Sequence, residues 1–423
     1  MRLRCVYTAR VAVTLDQLPR ATRRLRQHPL DHGAWLEVAA LLAVLGTPDD
    51  AEAAFGALGD GARIGGQVAL AVACGRHLAE LGSERGVELI DHIVETYAEI
   101  RSRKTEAPMP SGEIPLASLS GTAPVVAGNP DALADARAVV ATLGPWLAAR
   151  KIGKVPIAPL ISTLSKSGAR ALIGVMTARA VPAGTVVIEV GEPAAALYWV
   201  AHGTLAVSRP ADQSDAWISL GELQSGAFFG EIALVGGTKR TARVTARDDS
   251  WLLEIPARAV EAAAQKQPRL AEVLATHARH RLLANLVRTS ELFRALAVVD
   301  RDALLEKFTT ELVPAGTTII REGTANQHLW VVVSGKCTVT AAGAAIAELG
   351  PGAAVGEISL ISGTQAVADV IAHEPAVLLR LAKSDFDEVG KQHPALLAEV
   401  EKLVVARETA NRALFQDASD LIV

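Results

Sequence analysis

The stretch Val181-Pro-Ala-Gly-Thr occurs a second time, beginning at Val313. Aligning 181–208 with 313–340 leaves 11 of 28 positions identical, and aligning 229–244 with 355–370 leaves 8 of 16 identical. The offset falls from 132 to 126, so the first copy holds six more residues, which we place in a hairpin around Pro210–Asp215. Strand-like runs punctuated by glycine are typical of a small barrel of short strands. The sequence therefore predicts two copies of one strand-rich domain.

The first copy contains the segment 228–244, which reads Phe-Phe-Gly-Glu-Ile-Ala-Leu-Val-Gly-Gly-Thr-Lys-Arg-Thr-Ala-Arg-Val. Gly230 allows a tight turn, and residues 231–234 can form one helical turn whose N–H groups point at an anion. Arg240 supplies a planar fork that can bind two phosphate oxygens, and Glu231 is an acceptor that suits a ribose hydroxyl. This combination indicates a site for a sugar-phosphate with one negative charge.

The same segment resembles the phosphate-binding cassette of cyclic nucleotide-binding domains. That family includes the catabolite activator proteins, the regulatory subunits of cAMP-dependent protein kinase and the cyclic nucleotide-gated channels. The pattern Phe-Gly-Glu-Ile-Ala-Leu followed by Arg-Thr-Ala is met residue for residue, and Pro182-Ala-Gly and Gly203 match the family's barrel positions. The resemblance covers roughly 160–415 as two tandem copies and does not cover the first 150 residues.

The resemblance implies cAMP or cGMP as the ligand, with no cofactor and no metal. It implies that Arg240 binds the cyclic phosphate, where the alternative is a surface arginine on a polar loop. It also implies that Glu231 binds the ribose 2′-hydroxyl. Backbone N–H groups of Gly230, Ile232 and Ala233 would complete the phosphate cradle.

Two further positions follow from the resemblance. Val207 would lie beside the base. Thr241 stands where the family often has a hydroxyl that contacts the purine, and its alternative role is that of a β-branched residue filling the barrel. Both roles for Thr241 stay open.

The second copy keeps Gly356 and Glu357 but has Ala366 and Val367 in place of the Arg-Thr pair, with Asp369 close by. Losing a charge-assisted contact to phosphate costs about 1.5–3 kcal/mol. We therefore predict that the second site is degenerate, and that this domain is structural or binds something else.

The N-terminal region has helical periodicity. Trp35, Leu36 and the following alanines and leucines form one apolar stripe, the break Gly46-Thr-Pro ends it, and Thr47 or Asp49 can cap the next helix. A second helix pair is predicted at 68–81 and 87–100. The pattern resembles a tetratricopeptide helical hairpin, and an unclassified helical bundle is the alternative.

The chain as a whole is predicted to be α+β, with an all-α N-terminal domain followed by two jelly-roll β-barrels with flanking helices. The helices after the two barrels are predicted at 257–289 and 383–412. The predicted segments are a tetratricopeptide-like domain (1–106), a Pro-rich linker (107–130), connecting helices (131–159), a competent cyclic nucleotide-binding domain (160–290) and a degenerate one (291–423).

Composition excludes several protein classes. The 423 residues are 50% apolar, with a mean hydropathy of +0.26 and a net charge of −4, so no electrostatic footprint for nucleic acid or anionic lipid is visible. Three scattered cysteines exclude a disulfide scaffold and a CxxC-type zinc site. No stretch is long and apolar enough to cross a membrane, and Arg10 and Asp16 interrupt the candidate signal peptide. We predict a cytoplasmic protein.

Two further candidate sites are weak, and the sequence lacks the common catalytic motifs. His277 and His280, spaced i,i+3, could ligate a metal, but exposed helix residues fit better. The strip from Arg101 to Thr105 could be a kinase site, but a solvated linker fits better. No P-loop, HExxH, nucleophile elbow or kinase motif is present, so we predict no enzyme activity.

The function predicted is a non-catalytic cyclic nucleotide receptor that passes ligand binding to a protein partner through its helical N-terminal domain. The helix at 257–289 would move over the base. One alternative is a transcription regulator of the catabolite activator type, for which residues 383–423 leave neither space nor positive charge. The other is a scaffold in which neither barrel binds nucleotide.

Overall fold

The computed structural model describes residues 15–100, 123–150, 155–210, 216–289 and 307–392, together with positions 394, 398, 401, 402, 404 and 405. The helices are α1 (Gln17–Gln27), α2 (His32–Leu45), α3 (Pro48–Ile64), α4 (Val68–Glu80), α5 (Glu84–Tyr97), α6 (Ala132–Ala148), α7 (Pro159–Ser162), α8 (Lys166–Gly174), α9 (Glu231–Gly236), α10 (Ala257–Lys266), α11 (Pro268–Thr289), α12 (Glu357–Ser362) and α13 (Lys383–Gln392). None of these helices is both long and apolar enough to span a bilayer.

The N-terminal helices α1–α5 pack as successive neighbours joined by short turns. The predicted break precedes α3, where Thr47 and Asp50 form a reciprocal capping box and Pro48 occupies the first helical position. Thr47, and not Asp49, is therefore the cap. Helix α6, from the predicted connecting segment, packs against α1 and α3. The likeness to tetratricopeptide repeats stays a prediction.

The strands of the first copy are β1 (Thr177–Val181), β2 (Val186–Ile188), β3 (Ala196–His202), β4 (Leu205–Pro210), β5 (Trp217–Leu223), β6 (Phe228–Phe229), β7 (Arg243–Ala246) and β8 (Ser250–Pro256). Those of the second copy are β9 (Thr309–Val313), β10 (Thr318–Ile320), β11 (His328–Ser334), β12 (Cys337–Ala341), β13 (Ala344–Leu349), β14 (Ala354–Val355), β15 (Asp369–Ala372) and β16 (Ala376–Ala382).

Each copy forms two antiparallel four-stranded sheets that enclose one apolar cluster. The sheet orders are β1-β8-β3-β6 and β2-β7-β4-β5 in the first copy, and β9-β16-β11-β14 and β10-β15-β12-β13 in the second. The sheets do not close on each other, so the predicted barrels are open sandwiches. We call them the first and the second sandwich. Closure would need hydrogen bonds between the edge strands of the two sheets, and no such pairing is found among the described residues.

The two sandwiches match in register as well as in order. Ala196 pairs with Pro256 in the first, and His328 pairs with Ala382 in the second. The change of offset falls in the hairpin β4–β5, as predicted: the segment from the start of β4 to the end of β5 covers 205–223, which is six residues longer than the equivalent segment 337–349 of β12 and β13. Residues 211–215 themselves lie outside the described residues.

The predicted single helix at 257–289 is wrong in one respect. It divides into α10 and α11 at Gln267, because Pro268 has no N–H to donate to the preceding turn. Of the predicted helix 383–412, the structure describes α13 and only isolated positions beyond it.

One apolar core joins the N-terminal helices to the first sandwich. Helix α4 lies against β3, β1 and β8. Trp251 of β8 is 1% exposed, and its ring centroid lies 5.8 Å from that of Phe55 and 6.1 Å from that of His77. The helical region therefore covers the outer face of the sheet β1-β8-β3-β6, whose strand β6 directly precedes the predicted site.

Candidate functional site

The predicted cassette begins at the sharp turn between β6 and α9. Gly230 has φ +92°, a conformation that favours glycine. A Cβ at this position would lie 2.7 Å from Arg240 Nη1 and 3.2 Å from the carbonyl oxygen of Ala196. The close approach of the arginine therefore requires a residue with no side chain at position 230.

Arg240 is buried beside this turn, with 6% of its surface exposed. Its Nη1 donates to the carbonyl of Gly230 (2.8 Å) and its Nη2 donates to the carbonyl of Ala196 (2.6 Å). Burial lowers the pKa of the guanidinium from its ordinary value. Arg240 is therefore not the surface arginine of the alternative interpretation.

Glu231, at the first position of α9, is fully buried and faces α11. Its Oε1 lies 3.4 Å from Nη1 of Arg281 and 4.0 Å from Nε2 of His277. Neither carboxylate oxygen accepts a hydrogen bond from the described residues. Burial raises the pKa of Glu231, and the opposing effect of Arg281 is smaller.

His277 also packs against the cassette, with its ring centroid 4.1 Å from that of Phe228. Burial, with the nearby charge of Arg281, lowers the pKa of His277 to about 3. The prediction that His277 is an exposed helix residue is therefore wrong, whereas His280 is exposed. Among the described residues no cluster of His, Cys, Asp and Glu could hold a metal ion.

The other predicted residues of the first site face different surroundings. Val207 packs in the apolar interior of the first sandwich, and Ala233 is 3% exposed within α9. Ile232 packs against the core of the second sandwich. Thr241 lines a small pocket between the sandwiches, together with Leu282 of α11 and Val333 of β11. Thr241 thus sits at an interdomain junction, which neither of its two predicted roles included.

The second cassette has the same backbone without the arginine. Gly356 has φ +86°, Glu357 is 1% exposed at the start of α12, and Val367 is 50% exposed. The side chain of Ala366 is buried and uncharged. Its backbone is placed like that of Arg240, because the N–H of Ala366 donates to the carbonyl of Thr324 (2.8 Å) and the N–H of Arg240 donates to the carbonyl of Glu192 (2.8 Å). The side chain is therefore the difference between the two positions.

Sequence reasoning missed two residues that the fold brings to the cassettes, Arg281 and Asn326, and it gave His277 a different role. His277 and Arg281 are spaced i,i+4, which places both on one face of α11. That spacing was visible in the sequence, but it does not tell which face meets the cassette.

Comparison with known proteins supports the resemblance. Residues 178–267 and 310–393 match the family model of the cyclic nucleotide-binding domain. A cyclic nucleotide-gated potassium channel of Mesorhizobium japonicum is 32% identical over 119 residues, which are 28% of this chain and 31% of the channel. A cAMP-dependent protein kinase regulatory subunit of Debaryomyces hansenii is 24% identical over 238 residues, which are 54% of this chain and 48% of the subunit.

Both relatives are longer than the matched segment, so the chain spans about a third to a half of their length. Among solved structures, the cAMP-bound PfPKA-R is 17% identical with a TM-score of 0.30, covering 62% of this chain and 87% of that chain.

Proposed function

Because residues 178–267 and 310–393 are two cyclic nucleotide-binding domains in tandem, we propose that this chain is a receptor for cAMP or cGMP. The first domain would bind the nucleotide and the second would not. The proposal includes a non-catalytic, cytoplasmic protein that acts on a protein partner. It also includes the domain limits predicted from the sequence.

The observation that carries the proposal is the buried guanidinium of Arg240. A guanidinium has five N–H donors, and the carbonyls of Gly230 and Ala196 take two of them. The remaining donors, fixed in position by those two hydrogen bonds, are available to a phosphate. A charge-assisted bond made from a preorganised, buried cation is stronger than one made from a mobile surface arginine.

Glu231 supports a route for the signal. Its carboxylate contacts Arg281 of α11, and the same helix places Leu282 and Leu286 in the core of the second sandwich. A ribose hydroxyl that engages Glu231 would compete with this contact. Ligand binding would therefore shift α11 between two packing arrangements and carry the change to the second domain.

Direct contacts between the first and the second sandwich support the same route. Thr238 and Ser334 form a buried hydroxyl–hydroxyl hydrogen bond (3.1 Å), and Arg209 donates to the carbonyl of Pro351 (2.9 Å). A movement of residues 236–241 would disturb the contact between Thr238 and Ser334.

The partner surface is proposed to lie on the N-terminal helices. One face of α4 is already covered by the first sandwich, so a partner would use the remaining faces of α1–α5. Because these helices share a core with the first domain, a change in that domain would reach them through the sheet containing Trp251.

Isothermal titration calorimetry of the full chain with cAMP, cGMP and a small panel of other nucleotides tests the proposal. We expect about one nucleotide per chain, and at least tenfold weaker binding in Arg240→Ala. Arg179→Ala, which removes an exposed arginine of β1 paired with Glu254, serves as the matched control and should bind normally. Two equivalent sites, full affinity in Arg240→Ala or no binding at all would contradict the proposal, the last favouring the scaffold alternative.

A further inference from the structure

Asn326 lies beside the second cassette in the place that the Arg240 side chain occupies beside the first. Its Nδ2 donates to the carbonyls of His328 (2.7 Å) and Gly356 (3.1 Å) and lies 3.3 Å from the hydroxyl of Ser359. Its Oδ1 accepts from the N–H of His328. Asn326 therefore ties the first residue of β11 to the turn that opens α12.

The two carbonyls bound by Asn326 are the equivalents of the two bound by Arg240. His328 occupies the ladder position in β11 that Ala196 has in β3. Gly356 opens α12 as Gly230 opens α9, with φ +86° against +92°. A Cβ on Gly356 would lie 2.5 Å from Asn326 Nδ2, and one on Gly230 would lie 2.7 Å from Arg240 Nη1.

The two copies differ in the identity of the residue at two equivalent positions. Where the second copy has Asn326 the first has Ala194, and where the first has Arg240 the second has Ala366. In each cassette one polar side chain donates to the pair of carbonyls. In the first copy it is Arg240, which follows the turn in the sequence, and in the second copy it is Asn326, which precedes the turn.

We infer that Asn326 is a positioning residue that replaces the arginine as the brace of the second cassette. A carboxamide has two N–H donors, and three acceptors of the protein already surround them. It therefore holds the cassette in shape but has no donor and no charge left for a phosphate. The second domain keeps the folded cassette without needing a nucleotide, which lets it serve as a constant surface against which α11 and the first cassette pack.

Hydrogen exchange on the full chain without nucleotide tests this inference independently of the proposed ligand. In Asn326→Ala, we expect exchange of the amides of 356–362 to become about tenfold faster or more, because the partly buried carbonyls of His328 and Gly356 each lose the Asn326 donor. The amides of 230–236 in the first cassette should be unchanged. Gln327→Ala, which truncates the exposed neighbouring side chain, is the matched control and should behave as the original chain does.

Rescue distinguishes a brace from a residue that merely fills space. Asn326→Ala combined with Ala366→Arg should return exchange in 356–362 to within about threefold of the original rate, because a guanidinium from the other side restores both hydrogen bonds. Ala366→Arg alone should change little, because the carbonyls are already bound. If Asn326→Ala alone does not fold, recovery of a folded chain in the double variant supports the inference. Unchanged exchange in Asn326→Ala, or no recovery in the double variant, would overturn it.

Discussion

The two sandwiches have the same strand order and the same cassette backbone, but they differ in the side chain that holds the cassette. In the first, Arg240 binds a pair of carbonyls with a cation that keeps further donors. In the second, Asn326 binds the equivalent pair with a neutral amide. The difference teaches that a duplicated domain can preserve the shape of a binding site while losing its charge, provided that another residue takes over the structural task.

The largest difference between the copies is expected at the glutamates. Glu231→Ala should weaken nucleotide binding about tenfold or more, because the ligand loses an acceptor for its hydroxyl and Arg281 loses its partner. Glu357→Ala, in the second cassette, should leave the affinity unchanged. Calorimetry on the two variants measures both values, and an equal loss in both would show that the copies are equivalent.

A smaller difference is expected in the helices that follow the two sandwiches. Saturating nucleotide should change hydrogen exchange in 268–286 of α11 by at least about threefold, because a ribose hydroxyl on Glu231 would compete with Arg281 for the carboxylate. Exchange in α13 should stay the same, since no ligand binds the second cassette. Identical protection of α11 in the free, cAMP-bound and cGMP-bound chains would remove α11 from the signal route.

The smallest expected effect concerns pH. The pKa of His277 is lowered to about 3, so between about pH 3 and 6.5 the unfolded chain binds a proton at this side chain that the folded chain does not. The stability contributed by neutral His277 is therefore present above pH 6.5 and is lost as the pH falls. The raised pKa of Glu231 acts in the opposite direction, because the folded chain then holds the proton more tightly.

Urea unfolding at pH 6.5 and pH 5 checks the pH effect. His277→Asn should lose less stability than the original chain over this interval, by on the order of 1 kcal/mol. His280→Asn, an exposed position on the same helix, is the control and should keep the original dependence. An unchanged pH dependence in His277→Asn would show that its surroundings do not exclude the proton.

Much of the fold could be predicted because its signals are local. Glycines at tight turns, Pro48 at a helix start and the repeated Val-Pro-Ala-Gly-Thr motif each specify a few consecutive residues, and the repeat then doubles the strand pattern. The sandwiches were predicted as jelly-roll barrels because short strands with tight turns suit both a barrel and an open sandwich. Only hydrogen bonds between edge strands decide between them.

The sequence by itself determined the duplication, the turn–helix cassette and the loss of the arginine at Ala366, since these depend on spacing within short segments. The tertiary structure decided which distant side chains complete each cassette. Arg281 reaches Glu231 from fifty residues further along the chain, and Asn326 reaches Gly356 from thirty residues before it. It also decided that Trp251 joins the first sandwich to the N-terminal helices. The physical reason is that these contacts form only when separate elements pack to bury apolar surface, and neither the packed faces nor the polar groups trapped between them follow from local spacing.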